Sequence, residues 1–236
     1  MTLFAGRIAL VTGASRGIGA AVAEKLASEG AHVVLTARTA KDLEDIEQRI
    51  FDAGGSATIA PLDLVENGSI DRLAAALRER WGKADVMVLN AAMLGTLSPV
   101  PVIDGAEFNR VLTLNLLAQH AMLAAFDDLL RASDAGRLVV MTSSVGSKPR
   151  AFWGAYGASK AALENLALSY AEEVQNLSRV KVAIVDPGKT RTAMRAKAYP
   201  GEDPATLKSP VVVADAIAGL LASDFETGAR LVVAES

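Results

Sequence analysis

The chain has 236 residues, of which 51% are hydrophobic and 22% charged, enough apolar content for a large core and too little charge for a disordered chain. Its 24 Lys and Arg against 27 Asp and Glu leave a formal charge of -3, which gives no reason to expect nucleic acid as a partner. With no cysteine and two isolated histidines, His32 and His120, disulfides, thiol catalysis and thiolate metal sites are excluded and a metal-free site is expected.

The first predicted strand, residues 8–12, begins with no basic-then-apolar leader before it, and no apolar stretch reaches the roughly 20 residues of a membrane span. A soluble, cytoplasmic protein is expected. The strand runs into Gly13, Gly17 and Gly19 and then a helix-like stretch over residues 20–27. In such a strand–turn–helix unit, glycines allow tight curvature and close approach of a pyrophosphate to the helix N-terminus. The spacing here is G-x-x-x-G-x-G, which differs from the G-x-G-x-x-G of the dinucleotide fingerprint.

Further apolar runs follow at residues 33–36, 57–61, 86–90, 138–143, 181–186 and 230–233, each separated by a helix-like stretch. That alternation predicts an α/β fold, a doubly wound parallel sheet of about seven strands with helices on both faces. No linker or charge run divides the chain, so residues 1–236 are expected to form one domain of Rossmann type. Ligands on such sheets bind at the carboxyl ends of the strands.

Chemistry-bearing residues follow those ends. After the second run come Ala37 and Arg38; after the third, Asp63 and Leu64; after the fourth, Asn90, Ala91 and Ala92. Asn115 lies in a long Ala/Leu-rich helical stretch over residues 107–131, and Ser143 and Ser144 close the fifth run. Tyr156 and Lys160 then lie four apart on a second helical stretch, residues 155–176, with Cβ atoms about 5 to 6 Å apart. At that distance the cation is expected to lower the phenol pKa from about 10 toward neutrality, as a proton-transfer catalyst requires. The sixth run leads into Pro187-Gly188-Lys189-Thr190-Arg191-Thr192.

This ordered set resembles the short-chain dehydrogenase/reductase family, in the bacterial branch near the 3-oxoacyl thioester reductases. The family's T-G-x-x-x-G-x-G loop is matched by Thr12 to Gly19 and its Y-x-x-x-K pair by Tyr156 and Lys160. The resemblance implies a nicotinamide cofactor held by Gly13, Ser15, Arg16, Gly17, Ile18 and Gly19. Asp63 and Leu64 would border the adenine, and Asn90, Ala91 and Ala92 would support the ribose and the central sheet. Pro187, Gly188, Thr190 and Thr192 would hold the nicotinamide carboxamide. Leu89 and Ala92 depart from the common N-N-A-G pattern. Ala37 stands where an NAD-binding sheet carries an acid for the ribose 2′-OH, and Arg38 follows. Arg38 and Arg16 together can bracket a 2′-phosphate, so NADP(H) is expected in preference to NAD(H).

The same resemblance makes Tyr156 the proton donor, with Lys160 tuning it and holding the nicotinamide ribose. Ser143, thirteen residues earlier, would bind the substrate oxygen, with Ser144 its neighbouring competitor. Asn115 would organise a water joining Lys160 to solvent. Substrate walls are expected from residues 145–155, with Phe152 and Trp153, and from a lid at about residues 190–209. Arg191, Arg195, Lys197 and Lys208 make that lid basic, which suggests an anionic substrate such as an acyl-phosphopantetheine thioester.

The expected activity is NADPH-dependent reduction of a ketone, aldehyde or 3-oxoacyl thioester. Alternatives are oxidation of a sugar, polyol or steroid-like alcohol, and a non-catalytic NADP-binding regulator, which would have no use for an intact Ser143, Tyr156 and Lys160. Family members pair through the two long helices, so a homodimer is expected, or a homotetramer. The C-terminal Val232-Val-Ala-Glu-Ser236 lacks a Gly-rich tail, which favours the dimer.

Overall fold

A computed structural model describes residues 2–234, so the last two residues of that C-terminal stretch lie outside the described residues. The chain alternates β1 (Ile8–Thr12), α1 (Gly17–Ser28), β2 (His32–Thr36), α2 (Ala40–Asp52), β3 (Ser56–Ile59), α3 (Ser69–Trp81) and β4 (Val86–Leu89). Then come α4 (Gly105–Leu112), α5 (Ala118–Arg131), β5 (Arg137–Met141), α6 (Ser144–Ser147), α7 (Gly154–Val174), β6 (Lys181–Asp186), α8 (Ala193–Ala198), α9 (Pro210–Ala222) and β7 (Ala229–Val232). Among the described residues the strands form one parallel seven-stranded sheet in the order β3-β2-β1-β4-β5-β6-β7.

Strand side chains alternate between two faces, and this alternation builds two cores. Ala9, Val11, Val33, Leu35, Val86 and Val88 pack against Leu26 of α1, Leu43 of α2 and Ile217 of α9. Leu10, Val34, Met87, Leu89 and Val140 pack against Leu77 of α3, Phe126 of α5 and Leu163 of α7. Because both faces are covered, the strands read as unbroken apolar runs. Four strands, β3, β4, β5 and β7, end earlier than the apolar runs that announce them. β4 stops at Leu89 because the Asn90 amide turns to the Thr12 hydroxyl at 2.9 Å.

The chain leaves β1 toward β2 and β3 on one side and returns to β4 on the other, so the strand order reverses between β1 and β4. Such a reversal opens a crevice at the carboxyl ends of the strands. The long stretch over residues 107–131 is not one regular helix: α4 and α5 are joined by a π-turn at Thr113–Leu117, where the Ala118 amide bonds the Thr113 carbonyl. No helix among the described residues is long and apolar enough to cross a membrane.

Candidate active site

The glycine turn lies in that crevice. Gly13 and Gly17 have φ of +66° and +59°, in the left-handed region that glycine enters without a Cβ penalty. A Cβ on Gly19 would fall 2.5 Å from Asn90 Nδ2 and collide with the Gly13 carbonyl. Asn90 braces the turn from β4: its Nδ2 donates to the carbonyls of Thr12 at 2.9 Å and Gly13 at 3.3 Å. The Thr12 hydroxyl in turn accepts the amides of Asn90 and Ala91. Asn90 and Ala91 thus tie the central sheet to the turn.

No side chain caps the first N–H groups of α1, and its first turn carries no acid. Unsatisfied N–H groups at the positive end of a helix dipole favour an anion. A Cβ on Gly17 would meet only Thr192, at 3.5 Å from its Cγ2, so the turn opens toward the chain that follows β6. This cradle fits a pyrophosphate. Ser15 and Ile18 are half-buried beside it, and Arg16 is exposed. The Ala14 amide bonds the Thr36 carbonyl at 3.1 Å, which brings the turn against the end of β2, two residues before the exposed Arg38. Among the described residues neither arginine side chain takes a hydrogen-bond or ion-pair partner.

Asp63 forms an Asx turn, accepting the Val65 amide at 3.1 Å, and Leu64 is buried in the core beneath it. Ala92 is half-buried. Beyond β6, Gly188 has φ +62°, the Thr190 hydroxyl donates to the Pro187 carbonyl at 2.9 Å, and Thr192 caps α8 by accepting the Arg195 amide.

The second group gathers on α7. Tyr156 is 7% and Lys160 2% exposed. A Cβ on Gly146 would lie 3.2 Å from Lys160 Cβ, and one on Gly157 would lie 2.8 Å from the Val145 carbonyl, so α6 is pressed onto the first turns of α7 by two glycines. Ser143 immediately precedes α6, half-buried, while Ser144 is exposed. Among the described residues the hydroxyls of Ser143 and Tyr156 have no hydrogen-bond partner. Asn115 is fully buried in the π-turn. It accepts the Met93 amide at 2.8 Å and donates to the Met93 carbonyl at 2.9 Å and the Ser159 hydroxyl at 3.0 Å. It therefore locks α7 to the chain after β4.

The electrostatics correct the expected tuning of Tyr156. Lys160 Nζ lies 5.8 Å from the centre of the phenol ring and donates to the Met141 carbonyl at 2.8 Å. Burial raises the Tyr156 pKa, and the negative charge of Asp186 raises it further, so the phenol is held protonated. Burial lowers Lys160 to about 8. Desolvation outweighs the cation–phenol attraction for both groups.

The basic stretch after β6 is also less available than its composition suggests. Its ends meet in a bridge between Thr190 and Lys208. Lys208 is buried, and its Nζ donates to the carbonyls of Val233 and Ala234. Arg195 is forked onto Glu202 at 2.5 and 2.6 Å. Trp153, half-buried, packs against Tyr156, whereas Phe152 is 56% exposed. Sequence reasoning missed Leu94, Met194 and Tyr199, which also pack there. The one signal for Tyr199 was an aromatic residue directly before Pro200-Gly201.

Among the described residues no group of three or more His, Cys, Asp or Glu could hold a metal ion. The short chain dehydrogenase family model matches residues 7–203. The uncharacterized oxidoreductase YciK of Escherichia coli K12 is 37% identical over 92% of this chain and 87% of its own length. A cis-4-hydroxycyclohexanecarboxylate dehydrogenase of Sinomonas cyclohexanicum is 33% identical over 98% of this chain and 96% of its own. A short chain dehydrogenase structure from Escherichia coli CFT073, solved with NADPH, superposes with a TM-score of 0.94 at 37% identity, covering 98% of both chains.

Proposed function

From the premise that this chain belongs to the short-chain dehydrogenase/reductase family, and is an oxidoreductase of alcohol and carbonyl groups, we propose that it reduces a carbonyl compound with NADPH. The observation that carries the direction is the buried Tyr156, whose hydroxyl lacks a protein partner among the described residues and whose pKa is raised by burial. A phenol that keeps its proton at neutral pH is equipped to give it to an alkoxide, whereas oxidation of an alcohol needs the phenolate.

Under this proposal the glycine turn and the N-terminus of α1 bind the pyrophosphate, and Arg16 and Arg38 bind the 2′-phosphate as charge-assisted donors. The co-crystallised NADPH of the Escherichia coli CFT073 protein supports that assignment. Pro187, Gly188, Thr190 and Thr192 orient the carboxamide, and residues 190–209 form a lid that excludes water. The reduced nicotinamide, when bound, supplies the hydride. Ser143 holds the substrate oxygen by a hydrogen bond that strengthens as negative charge develops there. Tyr156 delivers its proton to that oxygen. Lys160, cationic at neutral pH, stabilises the phenolate left once the proton has passed to the substrate oxygen and binds the ribose, while Asn115 fixes the helix that carries both. A carbonyl reductase needs no other general acid than this phenol.

Tyr156→Phe is expected to lower kcat for carbonyl reduction at least about 100-fold and to leave the NADPH dissociation constant within a few-fold of the parent. Near-parental turnover by this variant would remove Tyr156 from the mechanism. The Sinomonas relative, named for an alcohol dehydrogenation, favours a second reading in which the same residues run in reverse when NADP+ predominates.

A further inference from the structure

Trp153 is the side chain that joins the proposed proton donor to the lid. Its ring meets Tyr156 nearly edge-on, centroids 5.9 Å apart at 70°, and lies at 31° to Tyr199 with centroids 5.8 Å apart. Aromatic pairs in tilted and edge geometries gain stability beyond the area they bury. The position of Trp153 is imposed from outside the helix. Ser98 bridges to Trp153 and its amide bonds the Phe152 carbonyl at 3.1 Å. Phe152 is held at φ +73°, a conformation that a bulky residue keeps only where its surroundings over-determine it.

Tyr199 is fixed from two sides. The Arg195 guanidinium lies 3.8 Å over its ring while forked by Glu202, and Arg150, from the wall segment before α7, donates to its hydroxyl. Leu94, Val145, Met194 and Ala198 close the apolar cluster around Trp153 and Tyr156. Two of the lid's cations are engaged inside the protein, Arg195 by a carboxylate and Lys208 by main-chain carbonyls. What faces Tyr156 is an aromatic and aliphatic wall.

We infer that Trp153 and Tyr199 determine substrate specificity, and that the carbonyl compound accepted here has a flat or cyclic apolar skeleton that packs on the Trp153 indole. An extended acyl chain on a charged phosphopantetheine would find no flat partner at this wall, and Arg195, the lid cation over Tyr199, is already held by Glu202. The inference rests on Tyr156 being the proton donor, because the skeleton attached to a carbonyl bound at Tyr156 has to lie beside the ring that touches Tyr156.

The test is NADPH oxidation by the parent protein, Trp153→Ala, Trp153→Phe and Tyr199→Leu with a fused-ring ketone, acetoacetyl-CoA and a small acyclic diketone, alongside direct NADPH titration. The parent is expected to prefer the ring ketone to the thioester by about tenfold or more in kcat/KM. Trp153→Ala should lose about tenfold more on the ring ketone than on the diketone, chiefly through KM, with Trp153→Phe restoring most of the loss and Tyr199→Leu falling between them. Parental preference for acetoacetyl-CoA, or equal losses on ring ketone and diketone, overturns the inference and leaves the reductase assignment standing. Tight NADPH binding with no turnover of any of the three compounds overturns both.

Discussion

At Lys160 two demands compete: an ammonium 2% exposed has a main-chain carbonyl at 2.8 Å as its hydrogen-bond acceptor, and removal from water lowers its pKa to about 8. If the cation is needed to stabilise the phenolate that Tyr156 becomes, kcat/KM for NADPH should fall as pH rises through about 8. Lys160→Arg, permanently charged, should flatten that fall whatever its absolute rate, and a parental profile level from about pH 6 to 10 would refute the role. The stability effect has the opposite sign. Between about 8 and the unfolded lysine value near 10.4 the unfolded chain binds more protons, so this group makes the fold more stable as pH rises there. Arg38 offers a simpler test, because it lies exposed two residues past β2 and has no partner among the described residues. Arg38→Asp should move the NADPH to NADH preference in kcat/KM by about tenfold to a hundredfold toward NADH, and an unchanged ratio would take the 2′-phosphate away from it. Arg38 could be read from its place after the strand, since its role needs only local chain. The raised Tyr156 pKa could not, because the burial that causes it comes in part from Leu94 and Met194, which are distant in sequence.

The elements carrying the site are aligned by small residues where they touch. Gly157, one residue after Tyr156, has room for no side chain: an added Cβ would sit 2.8 Å from the Val145 carbonyl, a main-chain atom that cannot rotate away. Gly157→Ala should therefore push α6 off α7 and separate Ser143 from Tyr156. We expect a drop in kcat of about tenfold or more, since small misplacements of reacting groups are costly, and a lower Tm by scanning calorimetry. NADPH affinity should fall by no more than a few-fold, because this contact carries Lys160 but not the glycine turn. Loss of NADPH affinity in step with kcat would mean that the substitution unfolds more than this interface. Periodicity predicted all seven strands because continuous apolar runs are what buried parallel strands require. The π-turn at Thr113–Leu117 left no such trace. Its consequence, the burial of Asn115 against Met93 and Ser159, depends on a neighbouring loop and helix and not on the local order of residues. The lid was legible as an irregular stretch from Pro200, Gly201 and Pro204, but its internal pairing of Arg195 with Glu202 is tertiary, and counting charges along the chain overstated how much of its basic character is free.

Across the whole molecule the sheet separates function from stability by its two edges. The carboxyl ends of β1, β4 and β5 lead into the glycine turn, Asn90 and Ser143, whereas their amino ends converge on Asp85, fully buried. That carboxylate accepts the Ile8 amide at 2.8 Å, the Ser133 hydroxyl at 2.5 Å, and Arg7 and Lys83 at 3.0 Å. Burial pushes the Asp85 pKa up, but the bonds from Ser133, Ile8, Lys83 and Arg7 outweigh it and the net shift is downward. A depressed carboxyl pKa contributes stability that is complete above the unfolded value near 3.9 and is lost as pH falls through the folded value. Asp85→Ala would strand the Ile8 amide, the Ser133 hydroxyl and the one-third-exposed Lys83, while Arg7 keeps Asp134, so the cost should be about 3 kcal/mol. In a domain of this size that corresponds to a fall in Tm of about 6 to 12 °C at neutral pH, shrinking toward zero as the parent is acidified and loses the same charge. Because nothing in this cluster touches the opposite edge, kcat and both KM values of the folded variant at 25 °C should match the parent. A variant with parental Tm would show the stranded donors to be satisfied by solvent, and one with altered KM at full folding would show that the two edges of the sheet are coupled.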